Sequence, residues 1–232
     1  MRDYFTLNGT TSTTYGCTIQ KRPDYVTPSK VIEKFSVRGR SGDLTIDTGA
    51  YNNVTLPYDV FVPHDQVSAF VNWIKTFVGY QRLEDTYDPD VFRMVLYEDD
   101  LTVENLMGQF GQATITFNAK PQRFLKDGEV VRTFTESGEA MLNEYEPAYP
   151  MIVINGSGDV TLAINNNAVN ITGLDSTITI DCETKNCYRG TLNLNNTVSL
   201  TNQFPFLDKG ANTISWEGDI TSVEITPRWW KI

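Results

Sequence analysis

Hydrophobic and polar positions alternate along most of the chain. Lys30 to Val37 places Val31, Phe35 and Val37 among polar neighbours, which predicts a strand. Arg38 to Asp43 then supplies two glycines in six residues and reads as a hairpin loop, and Leu44 to Asp47 restarts a strand. Asn53 to Val62 is a further extended run. Pro57 inside it has no N–H for a ladder, so this strand is expected at a sheet edge or at a bulge. One segment changes period. After Pro63 and Asp65, which suit a helix start, Val67, Phe70, Val71, Ile74, Phe77 and Val78 fall at helical spacing and make one apolar stripe. Trp73 lies just off that stripe, and Gly79 is the expected C-terminal cap. Gln81 to Asp90 reads as a polar loop. Val91 to Glu98 and Gly111 to Lys120 read as strands, the second with Ala113, Ile115 and Phe117 on one face and Pro121 at its end.

From Met151 onward the helical period is gone. Seven short strands are predicted: Met151–Ile154, Asp159–Ile164, Ala168–Ile171, Thr177–Asp181, Thr191–Leu194, Asn212–Trp216 and Ser222–Thr226. Between them stand turn residues, Asn155 to Gly158, Asn165 to Asn167, Gly173, and Glu217 to Asp219. Many short strands with frequent turns describe a β-sandwich or jelly roll. The stretch Lys126 to Pro150 carries two glycines, two prolines and several glutamates, and the domain boundary is placed there, within residues 125–135. The fold class is therefore mostly β. An α+β domain of β-sheets with one main helix (residues 1–127) is followed by an all-β sandwich (residues 128–232).

Composition narrows the function. The chain has 232 residues, 40% hydrophobic and 21% charged, which is globular rather than disordered. Its net charge of −10 argues against a protein clamped on nucleic acid, because phosphate binding draws on clustered cations. No apolar stretch approaches a membrane span, and the first sixteen residues lack the apolar core of a signal peptide; folding in a cytoplasm and no membrane insertion are the expectation. The single histidine, His64, rules out sites built on a pair of histidines, and no nucleophile-elbow motif accompanies it. A hydrolase built on two carboxylates is left open by sequence alone. Cys17, Cys182 and Cys187 read as free thiols at small buried or half-buried strand positions; a disulfide between the last two across a hairpin is the alternative. No metal and no cofactor is expected.

Three segments are candidates for function. Arg38, Gly39, Arg40, Ser41, Gly42 and Asp43 could cradle an anion, yet no helix follows them and the Walker spacing is missing; a charged hairpin tip, suited to a subunit contact, is the plainer reading. Trp216, Trp229 and Trp230 stand in the last seventeen residues of an Asn-rich β-domain. They could stack on sugar rings, or they could fill the sandwich core. The acidic patches Glu84–Asp85 and Glu98–Asp100 resemble solvated loops and lack calcium-loop order, and Asn8, Asn155 and Asn170 head sequons that read as Asn-rich turns and strands.

The order of these pieces resembles a known family. A V-R-G-R-S-G-D-L loop (Val37 to Leu44) leads to an aromatic-Asn-Asn stretch (Tyr51 to Asn53), an extended strand and a helix opening at Pro63 and carrying Trp73-Ile74. A closing strand then ends F-N-A-K-P-Q-R-F (Phe117 to Phe124). The chain finishes with P-F-L-D-K-G-A-N-T-I-S-W-E-G (Pro205 to Gly218) and I-T-P-R-W-W (Ile225 to Trp230). This is similar to the distal tail proteins of bacteriophages with long non-contractile tails, over nearly the whole chain.

The resemblance implies a structural protein of the virion and not an enzyme. Its N-terminal domain would close into a homohexameric ring at the tail tip, joining the major tail tube protein to the tail hub or fibre, with DNA only in transit through the centre. The C-terminal domain would be a galectin-like sandwich on the outside, a docking platform for receptor-binding proteins. The chain has no room for the inserted sugar-binding modules of larger members, which favours a plain hub. Arg38 to Asp43 would be an intersubunit or tube-facing loop. A net acidic balance would suit a lumen to which DNA does not stick. The alternative function is recognition of host cell-surface glycans through the three tryptophans.

Overall fold

The computed structural model describes residues 3–106 and 110–232. Two compact units divide the chain after Arg123, with Ile232 grouped with the first. The first unit contains β1 (Phe5–Leu7), β2 (Thr10–Thr11), β3 (Thr18–Lys21), β4 (Lys30–Phe35), β5 (Leu44–Tyr51), β6 (Val54–Pro63), the helix α1 (Val67–Lys75), β7 (Gln81–Asp85), β8 (Val91–Leu96), β9 (Val103–Leu106) and β10 (Phe110–Ala119). β11 (Arg123–Leu125) begins at the division. The second unit continues with β12 (Arg132–Phe134), β13 (Glu139–Asn143), β14 (Met151–Ile164), β15 (Asn167–Asp181), β16 (Asn186–Arg189), β17 (Leu192–Asn193), β18 (Val198–Leu200), β19 (Gly210–Thr226) and β20 (Trp230–Lys231). The molecule is mostly β with one α-helix among the described residues, as the periodicity predicts.

In the first unit an antiparallel sheet runs β2-β1-β7-β8-β10-β6-β3, with β9 beside the first part of β10. β6 pairs with β10 along ten residues, from Val54 opposite Ala119 to Pro63 opposite Phe110. The edge position predicted for β6 holds only in part. β3 covers its other side at Asp59 to Phe61 and stops there, so Pro57, beyond the end of β3, has one neighbour strand and needs no second N–H bond. Ala113, Ile115 and Phe117 face inward from β10 as their alternation requires.

Three first-unit expectations are corrected. The helix is shorter than its apolar stripe: it ends at Lys75, where Thr76 turns back to bond the Trp73 carbonyl through both its N–H (3.2 Å) and its Oγ1 (2.7 Å). Gly79, with φ of +72°, therefore lies beyond the helix and turns the chain instead. Val78 is 88% exposed. Trp73 is not marginal but buried, stacked on Tyr15 (4.9 Å between ring centres) and on Phe5 (6.1 Å). Gln81 to Asp85, read as loop because four of its five residues are polar, is β7. Leu83 is its buried anchor, and β1 and β8 flank it.

The second unit is a sandwich in which six of the predicted strands are joined into three long ones. Met151–Ile154 and Asp159–Ile164 are one strand, β14. Ala168–Ile171 and Thr177–Asp181 belong to β15, and Asn212–Trp216 and Ser222–Thr226 belong to β19. These three pair side by side in the order β19-β14-β15 along most of their lengths. Their first and second halves have different outer neighbours. One layer is β12, the end of β19, the start of β14, the end of β15, β16 and β17; the other is β13, the start of β19, the end of β14, the start of β15 and β18. Side chains from both halves of the same strand, such as Ile152 and Ile164 of β14, meet in one core.

Glycines that read as turns are the bends between layers. The ladder slips register at Gly158 and again opposite Gly218. A Cβ on Gly218 would lie 2.6 Å from the Asp159 carbonyl oxygen, and one on Gly156 only 2.2 Å from that of Asp219. Only glycine admits such close backbone approach, so the residue type that looks like a strand breaker lets the strand continue round the corner. The turn expected at Asn165 to Asn167 is present as a two-residue hairpin, with Asn165 at φ of +52°.

Candidate functional site

The β4–β5 hairpin forms a two-stranded sheet of its own, paired with no other strand among the described residues. Its ladder sets Phe35 opposite Leu44 and Glu33 opposite Ile46. Opposed residues share a face, as do alternate residues of one strand, so Val31, Phe35, Leu44 and Ile46 line one side with Glu33 among them. That apolar side is in the open: Phe35 and Ile46 are each 48% exposed and Leu44 43%. The base is tied by a Lys30–Asp47 ion pair (2.8 Å) and by Thr48 Oγ1 donating to the Val31 carbonyl (2.9 Å). At the tip, Arg40 N–H donates to the Val37 carbonyl (3.1 Å), and Gly39 and Gly42 take φ near +80°, a left-handed geometry that suits glycine. All of Arg38 to Asp43 is exposed, and among the described residues Arg38 and Arg40 pair with no acid.

The three tryptophans do not share an environment. Trp229 is 2% exposed, inside the sandwich core. Trp216 and Trp230 are half-buried and rest against that core; Trp230 Nε1 donates to the Pro147 carbonyl (2.9 Å), and Trp216 exchanges two bonds with Ser137 Oγ. Cys17, Cys182 and Cys187 are all buried free thiols, and burial pushes the Cys187 thiol up to about 11, well away from reactivity.

A polar cavity of about 310 Å³ in the first unit escaped sequence reading. Its wall carries Tyr58, Asp85, Tyr87, Asp88, Arg93 and Arg123. Tyr58 Oη donates to the Asp85 carboxylate (2.9 and 3.0 Å), and Tyr87 Oη donates to Tyr58 Oη (3.2 Å). Burial raises the Asp85 carboxyl to about 6 in spite of the phenol bonds, and burial also raises both tyrosines. Asp85 is thus no solvated loop residue, contrary to the acidic-patch reading. The signal was the alternation Leu83, Asp85 within β7, which sets both on one face; Tyr87 joins them from the turn that follows. No group of three metal-ligating side chains occurs among the described residues, and no helix among them is long and apolar enough to cross a membrane.

No family model matches the chain, and no curated protein matches it. A solved structure does: the SPP1 Dit protein, described as a paradigm of the hub adsorption apparatus in phages infecting Gram-positive bacteria. It is similar at 13% sequence identity and a TM-score of 0.75, with 97% of this chain and 98% of that chain covered. The resemblance carried by the order of motifs is thus matched in three dimensions, and from end to end this chain has the fold of SPP1 Dit.

Proposed function

We propose that the chain is a non-enzymatic structural protein of a phage tail tip, an assembly hub that closes on copies of itself. The observation that carries this reading is the β4–β5 hairpin: a sheet with one apolar side exposed and, among the described residues, two arginines at its tip that pair with no acid. A protein that works alone has little use for such a side. Covering what remains exposed of Phe35, Leu44 and Ile46 would contribute on the order of 1 kcal/mol each. A heterologous contact of this kind, repeated about an axis, makes a ring. The shared fold with a hub of the adsorption apparatus supports the same reading.

In this proposal the first unit makes a hexameric ring between the tail tube protein and the hub or fibre protein, with Arg38 to Asp43 at the contact. The second unit is a docking platform for receptor-binding proteins, and DNA passes through the ring. The virion tail is its working place. Glycan recognition through the tryptophans has less support, because Trp229 offers no face to solvent. Light scattering and electron microscopy of the purified chain test the reading. Six-membered rings with a central hole are expected, formed by the chain alone or with the tube protein; a monomer under both conditions would refute it.

A further inference from the structure

The cavity wall holds two cations short of partners. Arg123 gives its Nη2 to Asp88, yet its Nε is buried with no acceptor, and its side chain is only 15% exposed. Arg93, half-buried on β8, makes no hydrogen bond and no ion pair among the described residues. Burial disfavours its charge and the neighbouring Arg123 charge disfavours it further, while Tyr58, Asp85 and Tyr87 nearby offset only part of this. Two guanidinium groups facing one cavity with open N–H donors are an expensive arrangement unless an anion completes it.

Among the described residues no local acid bonds Arg93, although Asp85 is near enough to favour its charge. Asp88 is taken by Arg123, and Asp85 is held by the phenol of Tyr58. Asp24, the third acid on the wall, bonds neither arginine. The volume, about 310 Å³, suits a small ligand at the low end of binding pockets. Guanidinium forks match oxyanions in shape, since two parallel N–H groups meet two oxygens.

We infer that this cavity of the first unit is a binding site for a small oxyanion, held between Arg93 and Arg123. The shared chemistry is a pair of acceptor oxygens, provided by a carboxylate or by a phosphate. This site does not depend on ring formation.

The test uses the full chain, with acetate, inorganic phosphate and chloride compared at equal ionic strength by thermal shift and calorimetry. The melting temperature is expected to rise in acetate or phosphate above its value in chloride, and whichever of the two acts identifies the class. Arg93→Met, which keeps most of the volume and removes the cation, should weaken binding at least about tenfold. Arg93→Lys keeps the charge, and so spares the fold if the methionine variant does not survive; it should still bind several-fold more weakly for want of the fork. Wild type responding to acetate and phosphate no more than to chloride would overturn the site, as would an undiminished response in both Arg93 variants.

Discussion

The β4–β5 hairpin and the β19-β14-β15 core of the sandwich are written in the same alternating code and end in opposite places. In the sandwich every inward residue has a cover: Ile152, Ile154, Leu162, Ile164 and Ile180 are at or near zero exposure. In the hairpin the same kinds of residue stand in the open. Period-2 patterning thus specifies a strand and a side, and leaves unstated what lies against that side. The sandwich carries its own second layer by bending three strands back on themselves. Among the described residues the hairpin has none, which is why the proposed ring contact is placed there.

The largest effect is expected at the bends. Gly218→Val needs a φ of +91° from a β-branched residue and a Cβ 2.6 Å from a carbonyl oxygen. It should destabilise by more than about 3 kcal/mol in urea unfolding, or prevent folding. Next in size, Ile152→Ala or Leu162→Ala, each at zero exposure, should cost about 2–5 kcal/mol, whereas Ile46→Ala in the hairpin should change the monomer's stability by less than about 0.5 kcal/mol. If Ile46→Ala proves as costly as the core changes, the hairpin is covered in the free chain and the contrast fails.

Asp85 is the opposite case to the hairpin, a polar group set against the cavity wall. Its folded pKa of about 6 lies above the ordinary carboxylate value. The stability it contributes is therefore fully present below about pH 4 and is lost as pH rises through 6. Asp85→Asn should abolish this contribution and raise stability at pH 7.5 by roughly 1–3 kcal/mol, read from urea midpoints across pH 4–8. The smallest expected effect on folding is that of Arg38→Glu with Arg40→Glu. Both residues are exposed and pair with no acid among the described residues, so unfolding stability should stay within about 0.5 kcal/mol. Self-association measured by sedimentation should nevertheless fall, and unchanged association would remove the tip from the contact.

Much of the architecture was legible in the sequence. The hairpin between Lys30 and Tyr51, the helix after Pro63, the inward face of β10 and the all-β second half follow from period and turn residues alone. The failures have physical causes. Gly158 and Gly218 look like turns because a glycine's preference for left-handed φ does not say whether the chain reverses or merely bends; the pairing of neighbouring strands decides it. The apolar stripe overstates the helix because Phe77 and Val78 continue it, although Thr76 has already capped it. The Asp85 cavity was missed because a carboxylate between acidic and polar neighbours reads as surface, and only the fold reveals that Tyr58, some twenty-seven positions away, supplies its partner.

The three strands that pass through both layers have a mechanical consequence. A tug on one layer travels along unbroken peptide into the other, and the rungs between adjacent strands share the strain in parallel instead of opening one by one like a zipper. Such a module should yield abruptly or hardly at all, a stiff link rather than a spring.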